Sequence, residues 1–254
     1  MDEILNLCPE KVYSVMVVDE ISLIVPVYNE QELIQETVEI FLTDLSNICK
    51  NYELIIVDDA STDETAEILK NLKSKYQHRL IVITNEKNIG GGRSLIKGFH
   101  AARYSLVATN FADRPFNLLE LKNILPKFLK NIDFIVVVRK NRSANSVYRK
   151  ITSLINYYLI RLLFNIKVKD FQFVQIYKRE ILQSISVDSH RTFVPPEIII
   201  RLLLNNYIMD EYEADFYPRT KGMAKCGNPR IILRAIYDMF SFWVNLNLLK
   251  KYRD

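Results

Sequence analysis

The sequence predicts an α/β fold, a mainly parallel sheet with helices on both faces. Three observations predict it. Segments with strand character alternate with segments of helical spacing. The strands are apolar almost throughout, as in sheets covered on both sides. Polar clusters at 26–30, 58–63, 85–92 and 109–115 all fall at the carboxyl ends of these strands. Ligands of open α/β sheets sit beyond the carboxyl ends of the strands, so these clusters are expected to converge on one crevice.

The elements follow in order. After a polar leader, Ile21 to Val27 reads as a buried strand that stops at Tyr28-Asn29. Leu33, Ile34, Val38, Phe41, Leu42 and Leu45 then share one face of a helix predicted over 30–49. Leu54 to Val57 is a second strand, ending in Asp58-Asp59. Ser61-Thr62-Asp63-Glu64 supplies an acidic helix start, and Ala66, Ile68, Leu69 and Leu72 carry that helix. Leu80 to Ile83 makes a third strand, Gly90-Gly91-Gly92 a loop, 93–103 a helix and Tyr104 to Thr109 a fourth strand. Beyond residue 116 the pattern loosens. Helical spacing returns at 118–129 and 196–206, and Phe134 to Val138 is strand-like. Residues 143–165 are basic and aromatic, and an amphipathic tail over 229–252 ends Lys250-Lys251-Tyr252-Arg253.

Of the 254 residues, 49% are hydrophobic, enough for a sizeable core and against intrinsic disorder. Lys and Arg number 34 against 30 Asp and Glu, a net charge of +4 that gives no reason to expect nucleic acid. Cys8, Cys49 and Cys226 form no CxxC pair and no cluster with histidine, which argues against a disulfide framework or structural zinc. The leader MDEILNLCPE is acidic where a signal peptide is basic, and no apolar run reaches 18 residues. A cytoplasmic protein is expected. The glycines fit neither GxGxxG directly after a strand nor a Walker A loop.

Pro26-Val27-Tyr28-Asn29-Glu30 together with Asp58-Asp59-Ala60-Ser61-Thr62-Asp63-Glu64 resembles the opening of the family 2 glycosyltransferases. Asn88-Ile89-Gly90-Gly91-Gly92 is similar to that family's next block. Val168-Lys169-Asp170-Phe171 with Tyr177, then Glu197 and Arg219-Thr220-Lys221-Gly222-Met223-Ala224-Lys225, resembles the polyprenyl-phosphate, dolichol-phosphate mannose synthase-like group. The likeness runs from about 20 to 226. It implies a glycosyltransferase A-type, Rossmann-like domain over 1–228, with a nucleotide half at about 20–115 and an acceptor half at about 116–228, followed by the tail at 229–254.

The resemblance also implies roles. Pro26, Tyr28, Glu30, Asp58 and Asp59 would surround the nucleoside, with carboxylates accepting from base or ribose and Tyr28 as an aromatic wall. Asp58, Asp59 and Ser61 are equally the residues that would cap the next helix. Gly90 would let backbone approach a ligand or a neighbouring helix, and Arg93 either meets phosphate or stays solvated. Family members carry Asp-x-Asp after the fourth strand to hold Mg²⁺ or Mn²⁺ against the diphosphate. Aligned on Pro115, this chain has Thr109 and Phe111 there, leaving Asp113 and Asn110 as candidate metal ligands and Arg114 as a candidate substitute charge. Arg139, Arg149 and Ser153 stand where the group binds acceptor phosphate, and Lys225 with Arg219 would close over the diphosphate. Asp170 would orient the acceptor or a basic residue, or lie in a turn, and Glu197 is equally a structural residue.

The expected activity is inverting transfer of a sugar from a nucleotide-sugar to a polyprenyl phosphate, in cell-envelope or glycan biosynthesis. Peripheral membrane contact would come through the tail, and self-association stays open. Two other readings stay open. One is a degenerate, noncatalytic module. The other is a transferase to a sugar hydroxyl, with Asp170 as base.

Overall fold

The structure, a computed structural model, describes residues 19–140, 147–219, 221 and 229–247, without the side chains of 147–153 and 229–232. Seven strands form one sheet: β1 (Glu20–Val27), β2 (Asn51–Asp58), β3 (Leu80–Thr84), β4 (Leu106–Thr109), β5 (Phe134–Arg139), β6 (Gln175–Lys178) and β7 (Met209–Ala214). Their order is β3-β2-β1-β4-β6-β5-β7. β1 pairs in parallel with β2 and β4, and β5 in parallel with β7. Only β6 runs against its neighbours. The expected mainly parallel sheet is therefore present, in mixed form.

Eight α-helices complete the described chain: α1 (Ile34–Ile48), α2 (Thr65–Tyr76), α3 (Gly91–Ala101), α4 (Leu121–Ile124), α5 (Val147–Phe164), α6 (Arg179–Gln183), α7 (Val194–Leu204) and α8 (Pro229–Asn247). The helix expected over 118–129 is broken into 3-10 turns around the single turn of α4, with Pro126 at the start of the second turn. Alternate strand residues face opposite layers. Leu23, Val25, Leu54, Ile56 and Val137 pack with α1, α2 and 118–128 on one side. Ile24, Ile55, Val57, Val107 and Val136 pack with α3, α5, α7 and α8 on the other. Burying each such side chain contributes about 1.5–3 kcal/mol, so a register slip that exchanged the faces is strongly disfavoured.

The strands missed in the sequence have physical reasons. β6 is four residues long, and β7 is an edge strand whose Asp210, Glu211 and Glu213 hide any apolar run. A buried ion pair joins them. Lys178 Nζ donates to Asp133 Oδ1 at 2.9 Å, and Asp133 Oδ2 accepts the Ile208 N–H at 2.9 Å. Those contacts fix the starts of β5 and β7 against β6.

The connection from β3 to β4 reverses the winding of the sheet, and β4 lies against β1 rather than β3. β4 stops level with Ile24, three residues before β1 ends, so a gap opens where Pro26 to Glu30 and Asn110 to Pro115 leave the sheet. Such a switch point is where open α/β sheets hold ligands.

Candidate active site

The first two motifs are fastened together. The Asn29 N–H donates to Ser61 Oγ at 2.9 Å, the Glu30 N–H to Thr65 Oγ1 at 2.8 Å, and Asn29 Oδ1 accepts the Thr62 N–H at 2.7 Å. Asn29 and Ala60 hold left-handed backbone, with φ of 52° and 60°. Pro26 and Tyr28 lie at the mouth, partly exposed.

The adjacent carboxylates at the end of β2 have different surroundings. Asp59 accepts from Asn85 Nδ2 at 2.9 Å, the Ile89 N–H at 2.8 Å and the Gly90 N–H at 2.8 Å. It therefore anchors the glycine loop. Asp58 Oδ1 accepts from the N–H and hydroxyl of Ser61, while its fully buried Oδ2 has no hydrogen-bond partner among the described residues. An orphaned carboxylate oxygen at a strand end is costly unless something donates to it.

The glycine loop has a structural seat. Gly90 has φ +92°, and a Cβ on Gly92 would lie 2.0 Å from the Arg191 carbonyl oxygen. Arg93, one of whose two expected roles was contact with phosphate, donates instead to the carbonyls of Val187 and Asp188. Glu197, fully buried, accepts the Asp188 and Ser189 N–H groups at 3.0 and 2.8 Å and Arg201 Nε at 2.7 Å. Residues 187–191 are thereby clamped over the loop.

After β7 the chain crosses back over the switch point. The Tyr217 N–H donates to the Pro115 carbonyl at 2.9 Å. Arg219 forms a bidentate pair with Glu30, through Nη1 at 3.2 Å and through Nη2, and its Nε donates to the Lys221 carbonyl. A guanidinium has five N–H donors, so two remain for another ligand. Arg114, at φ 49°, donates to Glu36 Oε1 at 2.7 Å, and Lys221 Nζ reaches Glu36 Oε2 at 3.4 Å. These cations hold Glu36 below the usual carboxylate range, Arg114 first. The triad is absent from the sequence motifs, because its members lie 78 and 185 residues apart.

The residues after β4 supply few protein ligands for a divalent metal. Thr109 is buried, its hydroxyl exchanging hydrogen bonds with the backbone of Gln175. Asn110 is fully buried, its oxygen accepting the Phe111 N–H at 2.9 Å and its nitrogen donating to the Phe116 carbonyl at 3.3 Å. Asp113 is the only carboxylate in that turn. Among the described residues no three His, Cys, Asp or Glu side chains are grouped to hold an ion. Mg²⁺ at a nucleotide site is held by one or two carboxylates together with substrate phosphates, and Asp113 is the one carboxylate this turn supplies.

Burial raises the Asp113 pKa above the usual carboxylate value, Arg219 opposing and Glu30 reinforcing the rise. The sign follows: the folded state holds this proton more tightly than the unfolded state. Stability from Asp113 is present at low pH and falls as pH climbs from the ordinary carboxylate value through the raised one. Asp113→Asn should therefore flatten the decline of the melting temperature over that interval, as measured by thermal denaturation across pH.

On the acceptor side, Arg139 at the end of β5 pairs with Asp170 through Nε at 2.7 Å and Nη2 at 3.0 Å. Its guanidinium also lies over the rings of Phe173 and Phe216, at 5.4 and 5.8 Å. Arg149 and Ser153 are on α5, but their side chains lie outside those described, and Lys225 lies outside the described residues.

Residues 22–186 match the family model for glycosyl transferase family 2. The chain belongs to that family. It is 26% identical over 228 residues to an undecaprenyl-phosphate 4-deoxy-4-formamido-L-arabinose transferase of Shewanella sediminis, covering 88% of this chain and 66% of that protein. It is 27% identical over 226 residues to a dodecaprenyl-phosphate galacturonate synthase of Rhizobium johnstonii, covering 87% and 66%. The chain thus spans about two thirds of the length of these curated relatives. Among solved structures it resembles glucosyl-3-phosphoglycerate synthase of Mycobacterium tuberculosis in complex with Mn²⁺, uridine diphosphate and phosphoglyceric acid, with TM-score 0.64 and 18% identity over 89% of this chain and 78% of that one. That likeness establishes the glycosyltransferase A-type fold.

Proposed function

We propose that this family 2 chain transfers a sugar from a nucleoside-diphosphate donor to a polyprenyl phosphate, with inversion at the anomeric carbon. The observation that carries this reading is the strap after β7, which sets Arg219 against Glu30 and Asp113 at the β1/β4 switch point. It supplies fixed positive charge where the family's metal-binding carboxylates are missing. Tyr28, Pro26 and the orphaned Asp58 Oδ2 would take the nucleoside. The two remaining Arg219 N–H groups, with Lys221 and Arg114 beside them, would bind the diphosphate.

The acceptor phosphate is already ionised, so its oxygen attacks the anomeric carbon without a general base. The bond from that carbon to the diphosphate breaks, and the nucleoside diphosphate leaves. Arg139, steadied by Asp170 and two rings, is suited to draw the acceptor phosphate in. Engagement of both Asp170 oxygens by Arg139 disfavours Asp170 as a base, and with it transfer to a neutral hydroxyl. Names of the relatives support the acceptor class, since they pair undecaprenyl and dodecaprenyl phosphate with sugars. A lipid acceptor accords with peripheral membrane contact through 229–254.

The degenerate-module reading has one observation in its favour, Thr109 and Phe111 in place of carboxylates. Incubation with labelled nucleotide-sugars and short-chain polyprenyl phosphate in EDTA separates the two. Labelled lipid product that Arg139→Ala cuts at least tenfold is expected. No product from any donor, with the protein folded, would favour the module.

A further inference from the structure

Beside the glycine loop lies a cationic cavity that the transfer chemistry leaves unused. It encloses about 340 Å³ and is lined by Asn88, Ile89, Arg93, His190, Arg191 and Arg234. Three segments far apart in the sequence meet there: the loop that leads into α3, the 187–191 segment and α8. No carboxylate lines it, and Ile89 is its one apolar lining residue.

The fold fixes the walls. A Cβ on Gly90 would lie 2.9 Å from Arg191 Cγ, and one on Gly92 2.0 Å from the Arg191 carbonyl oxygen, so two glycines admit residue 191 against the loop. Arg93 donates from Nη1 to the Val187 carbonyl at 3.0 Å and from Nη2 to that of Asp188. Asp238, one turn beyond Arg234 on α8, accepts the His190 N–H at 3.3 Å. The charge, in contrast, is left unbalanced. Arg93 meets carbonyls, which carry no net charge. Among the described residues, Arg191 and Arg234 form no ion pair. Nearby carboxylates are engaged elsewhere, Asp188 and Glu197 with Arg201 and Asp238 with the His190 backbone. A concavity lined by one sign of charge concentrates counter-ions.

We infer that this cavity is a binding site for a small, soluble phosphorylated ligand, separate from the donor crevice. Guanidinium forks match phosphate oxygens in pairs, and the Asn88 amide adds a neutral donor. With one apolar lining residue, and a volume at the low end for small-molecule sites, the cavity has no place for an acyl chain. None of its lining residues belongs to the switch-point set of Glu30, Asp58, Asp113 and Arg219, so occupancy does not require transferase activity. Asp59 holds the Ile89 and Gly90 N–H groups, so the ligand would brace the loop anchored at the end of β2.

The test is calorimetric titration of the full chain with inorganic diphosphate at about 0.15 M salt, where loose surface charge is screened. Arg219→Ala protein is titrated beside wild type, because the donor crevice is also expected to take diphosphate. Binding that persists in Arg219→Ala is expected. Adding Arg191→Ala and Arg234→Ala should weaken it by roughly 150-fold or more, the loss of two charge-assisted hydrogen bonds. Arg234→Glu, at an exposed position, is the second variant. It should remove the binding while the melting temperature of the unliganded protein stays unchanged. Loss of all diphosphate binding in Arg219→Ala, undiminished binding by either cavity variant, or no binding of the wild type at this salt would each overturn the inference.

Discussion

Arg219→Ala should lower affinity for uridine diphosphate in EDTA by roughly 150-fold or more, the loss of two charge-assisted hydrogen bonds to phosphate. Arg219 pairs with Glu30 and retains two N–H groups that meet no hydrogen-bond acceptor among the described residues. Arg219→Lys keeps the charge but not the fork, and should recover only part of the loss. Because Glu30 is buried, the alanine variant also strands a carboxylate. Arg219→Ala with Glu30→Gln removes that complication, and its affinity should stay low. Calorimetric titration reads all three. Rescue of Arg219→Ala by Mn²⁺ to wild-type affinity would assign the diphosphate to a metal instead.

The largest stability effect is expected at Glu197, which sits fully buried at the start of α7. Its carboxylate holds two backbone N–H groups of the 187–191 segment and the side chain of Arg201. Glu197→Ala leaves those donors unmet and takes from the buried Arg201 guanidinium its fully buried carboxylate partner. Breaking a buried pair in this way costs about 3–5 kcal/mol. At about 2–4 °C per kcal/mol for a domain of this size, the melting temperature should fall by roughly 10 °C. Glu197→Gln, which preserves shape and one acceptor, should fall less. Equal melting of Glu197→Ala and wild type in differential scanning calorimetry would contradict the clamp.

What the sequence made legible depended on how locally each feature is encoded. The first four strands are short apolar runs bounded by turns, and each was found within two or three residues of its observed position. β6 and β7 were not, because one is short and the other is acidic at an edge. Motif likeness brought Tyr28, Glu30, Asp58 and Arg219 into one list, but not their division of work. Asp58 and Asp59 are chemically identical neighbours whose side chains leave the strand end in different directions, so only the fold separates the orphaned oxygen of one from the loop anchor of the other. The Arg114–Glu36–Lys221 triad joins three separated segments and has no local signature. The spacing of the tail predicts a helix with one apolar face, whereas α8 buries Ala235, Met239 and Phe242 and exposes Leu233, Tyr237, Phe240 and Val244 on the other side. Its second apolar face becomes evident only once the first is seen packed on the domain.

The most direct test of the account is calorimetric titration of the folded protein with uridine and guanosine diphosphates and their sugar conjugates, in EDTA and again with Mn²⁺. Arginine-borne donor binding predicts micromolar affinity for at least one conjugate that is the same in both. Binding seen only with the metal, or no binding of any nucleotide, would contradict it.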